Sequence, residues 1–182
     1  MTKRPAVFLD RDGTLIEEVN FLSEVEHLRV FDYTKHALQR LKDAGFLLIV
    51  VTNQSGIGRG LYTEADMHAI HDALQERINS LIDGFYFCPH MPVAGCDCRK
   101  PGTGMFLQAE TDHAIEIAAS WMIGDKKIDM EAGKNAGVQT ILVRTGYGAA
   151  HSESIGGVAD VITDDLGEAA EIILARSAEI VL

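Results

Sequence analysis

The chain has 182 residues, of which 47% are hydrophobic and 24% are charged. This length suffices for one well-buried core and is short for two, so we expect a single domain over residues 1–182. The composition excludes a disordered or collagen-like chain, and the formal net charge of −11 argues against nucleic-acid or anionic-membrane partners. A small anionic substrate is still compatible with this charge, because a bound divalent cation and local basic groups can invert the potential of a pocket.

The beginning of the chain carries no recognisable targeting segment. Acidic residues at positions 10 and 12 interrupt its first apolar stretch, and no apolar run approaches the roughly 18 residues of a membrane helix. We therefore expect a cytoplasmic protein, acting as a monomer without membrane or nucleic-acid partners.

Short apolar, β-branched runs alternate with helical patterns along the chain, which is typical of a parallel sheet covered on both faces. The predicted strands are 6–9, 47–51, 85–87, 120–123 and 140–143, with a weak edge strand around Val161. Helices are predicted from about Thr34 with Gly45 as stop signal, from Thr63 as N-cap along a stripe to Leu81, and over 105–113, 126–135 and 166–175. The fold class is α/β, a three-layer Rossmann-like domain with a central parallel sheet.

Two features of the spacing bear on the site. Residues 16–31 are less periodic and are predicted to form a loop or small hairpin above the first strand, either an ordinary solvated loop or a flap over a site. Only 39 residues separate Asp12 from Thr52, and 47 separate Thr52 from Lys100. Predicted helices, strands and loops use up these intervals, so no separate cap domain is expected.

Four predicted strands end in unusual polar residues. The endings are Asp10-Arg11-Asp12-Gly13-Thr14 after the first strand, Thr52-Asn53-Gln54-Ser55 after the second, a cysteine loop with Arg99-Lys100 after the third, and Gly124-Asp125-Lys126 after the fourth. Ligands gather at the carboxyl ends of strands in an open parallel sheet. We therefore expect these four endings to face one another around one site.

The residue types in these endings suit phosphoryl transfer. A carboxylate such as Asp10 can attack phosphorus if a cation removes the repulsion between the two anions. Asp125 can help to hold Mg²⁺, which prefers oxygen ligands, while Thr52 and the Lys100 ammonium can stabilise the phosphoryl oxygens. Each short motif alone is weak, since an aspartate after a strand is usually a turn residue. Four in order predict a phosphotransfer site.

The cysteine loop contains three thiols and one imidazole close together, from Cys88, His90, Cys96 and Cys98. This set suits tetrahedral zinc, which we favour over free thiols, and four protein ligands leave no open position. The predicted role is therefore structural: a zinc staple that fixes the loop and aims Arg99 and Lys100 at the substrate.

These motifs resemble those of the haloacid dehalogenase-like phosphatases from the first strand to Val143. Residues 10–14 resemble the family's first motif, 52–54 its second, Lys100 its third, and Gly124-Asp125 with Asp129 its fourth. The resemblance implies Asp10 as nucleophile, Asp12 as general acid and base, and Thr52 and Lys100 as phosphoryl stabilisers. It further implies Mg²⁺ held by Asp10, Asp125 and the backbone carbonyl of Asp12. For Asp129, support of the metal and an ordinary solvated carboxylate are both open.

The cysteine loop narrows the resemblance to the subgroup of heptose bisphosphate and histidinol-phosphate phosphatases. It implies a small sugar-phosphate substrate, in lipopolysaccharide precursor synthesis, with histidinol phosphate as the alternative. The implied substrate contacts are Arg11, Glu18, Val19, Asn20, Phe21, Asn53, Gln54, Ser55, Arg99 and Lys126. The flap segment Val19-Asn20-Phe21 departs from the family's more polar, glycine-containing pattern. Arg59 and Lys127 are candidates for the rim of the site.

Two other classes compete with a phosphatase. A receiver-like signalling module also joins acidic residues, a threonine and a lysine on a parallel sheet, but it places the phosphoacceptor on a later strand. A zinc-dependent interaction module would leave the four strand endings unexplained. His68 and His71 lack a third ligand nearby in the sequence and are predicted to lie at a helix surface or boundary.

Overall fold

Strands and helices alternate along the computed structural model, which describes residues 2–179; residues 1 and 180–182 of the predicted domain lie outside the described part. The strands are β1 (Ala6–Leu9), β2 (Leu47–Asn53), β3 (Gly84–Cys88), β4 (Trp121–Gly124), β5 (Gln139–Val143) and β6 (Val161–Thr163). The α-helices are α1 (Thr34–Asp43), α2 (Ser55–Gly58), α3 (Glu64–Arg77), α4 (Gly104–His113), α5 (Lys127–Ala136), α6 (Gly148–Ser154) and α7 (Leu166–Glu179).

The six strands form one parallel sheet in the order β3-β2-β1-β4-β5-β6. This confirms the predicted α/β class and the edge strand near Val161. The chain starts in the middle of the sheet at β1 and winds outward in both directions, so the strand order reverses beside β1. Ligands bind outside the carboxyl ends of the strands at such a switch point. The topology therefore places the site above β1.

The core consists of two apolar layers, one on each face of the sheet. Successive strand residues point to opposite faces, so Val7 and Leu9 pack with α1, α3 and α7, whereas Ala6 and Phe8 pack with α4 and α5. Burial on both faces explains why the strands read as continuous apolar runs. The three predicted layers are thus helix, sheet and helix.

Most predicted elements agree with the structure to within a residue or two, but the helix after Thr63 is shorter than predicted. Thr63 caps it, and its hydroxyl accepts a hydrogen bond from the Asp66 backbone. The helix ends at Arg77, because Asn79 and Ser80 adopt positive φ values of 56° and 54°. Leu81 is still buried, so its place in the apolar stripe reflects packing beyond the helix. The short helices α2 and α6 were not predicted.

Residues 16–31 form a flap beside the carboxyl end of β1. An antiparallel contact between Ile16 and Val30 closes the base of the flap, and one 3₁₀ turn, Val25–His27, lies within it. Within residues 2–179 no further domain is inserted between the strands, as the spacing predicted. In the same range, no helix is both long and apolar enough to cross a membrane.

Candidate active site

A cavity of about 360 Å³ opens above the carboxyl ends of the central strands, a volume in the range of small-molecule sites. All four predicted strand endings meet there. Its lining comprises Asp10, Arg11, Asp12, Glu18, Val19, Asn20, Phe21, Leu22, Thr52, Asn53, Gln54, Ser55, Tyr62, Arg99, Lys100, Lys126, Ile128, Asp129 and Tyr147. Residues 16–31 thus form a flap over a site rather than an ordinary solvated loop, the other predicted alternative.

A buried lysine lies between two buried carboxylates at the floor of the cavity. The Lys100 ammonium is 2.9 Å from Asp10 Oδ1 and 2.6 Å from Asp129 Oδ1, and it also donates to the Val51 carbonyl. Burial raises the pKa of Asp10, but Lys100 and Lys126 lower it more, so the pKa lies below its ordinary value. Asp10 is therefore an ionised carboxylate at the tip of β1.

Asp129 is fully buried in the first turn of α5, which excludes the solvated-carboxylate alternative. Besides its ion pair with Lys100, its Oδ2 accepts the Lys126 backbone N–H. Burial raises the pKa of Asp129, and its pairing with Lys100 only partly offsets this effect. The single positive charge of Lys100 cannot balance both the Asp10 and the Asp129 carboxylates, so this trio of side chains carries net negative charge when both are ionised.

Asp125 adds a third carboxylate to the same floor. Its Oδ2 accepts the Tyr147 backbone N–H, whereas its buried Oδ1 has no hydrogen-bond partner. Burial and then Asp10 raise the pKa of Asp125 to about 8. Gly13 and Gly146 make room for this side chain, because a Cβ at either position would lie 2.3 Å from Oδ2.

The three carboxylates could hold a metal ion. Ligand oxygens of Asp10, Asp125 and Asp129 lie within 4.8 Å of one another. Asp125 Oδ1 is buried without a hydrogen-bond partner, and burial together with the neighbouring Asp10 carboxylate disfavours the charged form of Asp125. A cation bound there would stabilise that charge. Hard oxygen donors of this kind suit Mg²⁺, so the residues present fit the predicted ion.

Asp12 is held at the side of the cavity by a fork of hydrogen bonds. Arg11 Nη2 donates to Oδ1 at 2.9 Å, and Arg11 Nε donates to Oδ2 at 3.0 Å. Gln54 Nε2 also donates to Oδ2. Arg11, which was predicted to contact substrate, lines the cavity. Its guanidinium is buried and donates to Asp12 and Gln54.

The Gln54 amide links Asp12 to Thr52. Its nitrogen donates to both side chains, and its oxygen accepts from Arg11 and from the Tyr62 hydroxyl at 2.5 Å. All hydrogen-bonding positions of the amide are thereby used. Gly56 makes this arrangement fit, because a Cβ there would lie 2.1 Å from the Tyr62 ring.

The loop that carries Lys100 is fastened to β2 by a reciprocal amide pair. Asn53 Oδ1 accepts the Lys100 backbone N–H at 3.0 Å, and Asn53 Nδ2 donates to the Lys100 carbonyl at 3.2 Å. Asn53 thus fixes the loop as well as lining the cavity beside Ser55 and Arg99.

Two residues of the flap, Glu18 and Phe21, contact cations around the cavity, Lys126 and Arg59 respectively. Lys126 donates to Glu18 at 3.2 Å, and its ammonium lies 4.8 Å from the centre of the Tyr147 ring. Burial lowers the pKa of Lys126, but Asp10, Asp125 and Glu18 raise it more. The Arg59 guanidinium lies 5.8 Å from the centre of the Phe21 ring. Arg59 thus lies beside a lining residue, although neither of the two rim candidates, Arg59 and Lys127, is itself among the residues that line the cavity.

The cysteine loop brings its four predicted ligands together. Cys96 Sγ is 3.6 Å from Cys88 Sγ and 3.4 Å from Cys98 Sγ, and His90 Nδ1 is 3.3 Å from Cys98 Sγ. No disulfide joins the thiols. Zn–S bonds of about 2.3 Å in a tetrahedron place sulfurs about 3.8 Å apart, so the cluster could hold a metal ion with little adjustment. Arg99 binds the His90 carbonyl and lies beside this cluster.

Several residues of the site had no clear signal in the sequence. Tyr62 lines the cavity from the turn before α3, and His71, within α3, contacts Arg11 behind the lining. His71 was predicted at a surface or boundary, which is wrong because it is only 3% exposed; His68 is exposed, as predicted. Tyr147 follows β5, so the strand-end rule applied to a fifth strand would have found it.

Known proteins share this architecture. A family model described as HAD-hydrolase-like matches residues 97–169, and the six-stranded parallel sheet agrees with this class, the haloacid dehalogenase-like hydrolases. The D-glycero-beta-D-manno-heptose-1,7-bisphosphate 7-phosphatase of Escherichia coli O6:H1 is 46% identical over 154 residues, 78% of this chain and 80% of the relative. The chain belongs to the family of these heptose bisphosphate phosphatases.

Two further comparisons extend over nearly the whole chain. The enzyme of the same name from Yersinia pestis is 40% identical over 185 residues, 94% of this chain and 96% of the relative. A crystal structure of the D,D-heptose 1,7-bisphosphate phosphatase from B. bronchiseptica, complexed with magnesium and phosphate, has a TM-score of 0.88 at 31% identity. It covers 94% of this chain and 99% of that chain.

Proposed function

We propose that this chain removes the 7-phosphate of D-glycero-D-manno-heptose 1,7-bisphosphate through a phosphorylated Asp10. The observation that carries the proposal is the meeting of Asp10, Asp12 and Lys100 in one cavity at the switch point of the sheet, with Asp125 buried beside Asp10. Relatives at 40–46% identity bear the name of this activity, so sequence and geometry support the same reaction. A role in making the sugar precursor of lipopolysaccharide belongs to this proposal.

Asp10 is the group best placed to attack phosphorus. Lys100 holds Oδ1, so we assign the attack to Oδ2. Asp10 Oδ2 forms a bond to phosphorus, and the bond from phosphorus to the sugar oxygen breaks. Lys100 and Thr52 then stabilise the charge on the phosphoryl oxygens during transfer.

Asp12 supplies and then removes the proton. It protonates the departing sugar oxygen, and the resulting carboxylate accepts a proton from the water that attacks the phosphoenzyme. Phosphate and the original Asp10 carboxylate are the products. A single carboxyl group serves both half-reactions because the proton that it gives in the first is regained in the second.

Magnesium belongs to this proposal as the cofactor. Asp10 and Asp125 would hold it with the backbone carbonyl of Asp12, and Asp129 supports the site through Lys100 and the Lys126 amide. A metal ion bound there would offset the repulsion between the nucleophile and the phosphate that it attacks. Asp125 Oδ1 is buried without a hydrogen-bond partner and lies 4.0 Å from the Lys126 ammonium, which leaves it available to a cation.

The mouth of the cavity suits a sugar with a second phosphate. Arg99 and Lys126 line it, and Arg59 stands at its rim beside Phe21. Short loops and the flap make up the rest of the mouth, so substrate selection depends on these few cations. The Lys126 ammonium donates a hydrogen bond to Glu18 in the structure. The second phosphate would compete with Glu18 for this ammonium.

The cysteine loop carries a structural zinc ion in this proposal. Three thiolates and one imidazole complete a tetrahedron, so no position remains open for substrate. The cluster directly precedes Arg99 and Lys100, and the Asn53 pair holds the other side of that segment. Zinc and Asn53 together would fix the direction of the two cations.

Steady-state phosphate release tests the function. The purified protein with Mg²⁺ is assayed on the α and β anomers of heptose 1,7-bisphosphate and on histidinol phosphate. We expect many turnovers on a heptose anomer and a lower kcat/KM on histidinol phosphate. The reverse order would make the protein a histidinol-phosphate phosphatase, and a single stoichiometric release would indicate a receiver-like module.

We also propose that residues 1–182 form one domain that acts as a monomer in the cytoplasm. Light scattering during size-exclusion chromatography tests the oligomeric state. A mass near the 19.8 kDa of one chain is the expected result, and twice that mass would overturn it.

A further inference from the structure

We propose that Arg11 and His71 are positioning residues for the proton transfers of Asp12, forming a buried brace that holds this carboxylate in one orientation. The inference rests on the proposed function, because Asp12 is its general acid and base. It assigns a role to a histidine of α3 that neither the motifs nor the reaction itself requires.

The contact between Arg11 and Asp12 has the geometry of a strong pairing. Two guanidinium nitrogens reach the two carboxylate oxygens at 2.9 and 3.0 Å, and bidentate pairs of this kind fix orientation as well as charge. The Arg11 side chain is 1% exposed and that of Asp12 is 15% exposed. The brace is therefore protected from water, while the carboxylate itself still faces the cavity.

His71 completes the brace from the opposite side. Its Nε2 lies 3.3 Å from Arg11 Nη1. A guanidinium only donates hydrogen bonds, so Nε2 must be the acceptor and the proton of the neutral ring must be on Nδ1. Nδ1 is buried without a hydrogen-bond partner. The ring stacks on Phe85 with centroids 4.4 Å apart. The protein thus buries a polar N–H in order to present an acceptor to Arg11.

The brace leaves one acceptor position of Asp12 for chemistry. A carboxylate offers about four lone-pair sites, and Arg11 and Gln54 occupy three of them, two on Oδ2 and one on Oδ1. The remaining position is on Oδ1. We assign the proton in transit to this oxygen, at the orientation that the brace fixes. Gln54 also binds Thr52, so the same network aligns Asp12 with the phosphoryl site.

A pair of substrates separates positioning of Asp12 from general damage. The sugar alkoxide needs a proton as it leaves, whereas p-nitrophenolate leaves without one. Catalysis by a positioned acid contributes about 10²–10⁴-fold. Replacing His71 by Leu should therefore lower kcat/KM on heptose bisphosphate by about 10–100-fold, a part of that contribution, and lower kcat/KM on p-nitrophenyl phosphate far less. The comparison uses kcat/KM, which reports only phosphoenzyme formation, because hydrolysis of the shared phosphoenzyme needs Asp12 as base with either substrate.

His71→Gln is the matched control. Its amide oxygen can take the place of Nε2 and accept from Arg11, so we expect the rate on the sugar substrate to return close to that of the wild type. Arg11→Lys retains the charge but cannot form the fork, and should resemble His71→Leu. Adding His71→Leu to Asp12→Ala should cause no further loss, because both changes act on one group.

The outcomes distinguish this inference from the proposed function. Equal losses of kcat/KM on both substrates, or no rescue by His71→Gln, would overturn the positioning role while wild-type turnover still supports the function. An inactive wild-type protein would instead refute the proposed function. Thermal unfolding of each variant identifies one that does not fold, and Arg11→Lys then provides the second test.

Discussion

Because His71 is buried and neutral, we expect it to lower the free energy of unfolding in acid by an amount that can be calculated. Burial lowers the pKa of His71 most, the Arg11 guanidinium and His68 lower it further, and the resulting pKa is about 3, against an ordinary value of 6.5. Asp12 pairs with the same Arg11 guanidinium at 2.9 Å. Between the two pKa values, the unfolded chain binds a proton that the folded chain excludes. Stability therefore rises with pH across this window and falls as the solution is acidified.

The size of the effect follows from these two values. Each unit of pKa difference is worth about 1.4 kcal/mol once both states have titrated. At pH 5 the unfolded imidazole is almost fully charged and the folded one is almost neutral. Relative to pH 8, His71 then costs the folded state about 2 kcal/mol. The full cost would appear only near pH 3.

Urea unfolding of the wild type and His71→Gln at pH 8 and pH 5 measures this cost. Glutamine does not titrate, so the variant should lose about 2 kcal/mol less stability than the wild type between the two pH values. Other titrating groups, including the cysteine cluster, are common to both proteins and cancel in the comparison. Equal losses would show that His71 is charged in the folded protein, which would contradict an acceptor role toward Arg11.

Three further changes test separate parts of the site. Replacing Cys96 by Ser should abolish bound zinc, measured by atomic emission, and a fully active, metal-free wild type would refute the staple. Gly13→Ala should cost about 1–3 kcal/mol of stability and weaken Mg²⁺ binding in calorimetry, because its φ is 81° and its Cβ would meet Asp125; unchanged binding would contradict this. Asn53→Ala should cost about 1–3 kcal/mol in urea unfolding and lower kcat by misplacing Lys100, whereas an unchanged kcat would show that Lys100 needs no such support.

The parts that could be predicted from the sequence are those governed by chain direction and strand period. Parallel strands bring their carboxyl ends to one edge, so Asp10, Thr52, Lys100 and Asp125 could be placed together before any contact was known. The cysteine cluster could also be predicted, because its four ligand residues are close together along the chain. Both features depend on local order and one topological rule.

The parts that could not be predicted depend on side chains that meet through packing. His71 lies 60 positions from Arg11, and its helical spacing fits a boundary position as well as a buried one. The resemblance implied a substrate contact for Arg11, but the sequence could not show that its side chain turns toward α3 and Gln54. Asp129 is buried because α5 lies close to β4, so close that a Cβ at Gly124 would collide with the Asp129 side chain.

The most direct test of the account is to trap the enzyme during turnover. Wild-type protein is mixed with Mg²⁺ and heptose 1,7-bisphosphate labelled in the 7-phosphate, quenched in acid and digested, and the phosphorylated peptide is sequenced. We expect the label on Asp10, and no labelled peptide and no phosphate release from Asp10→Asn with an unchanged fold by circular dichroism. Steady phosphate release from Asp10→Asn, or a label on any other residue, would contradict the covalent role of Asp10.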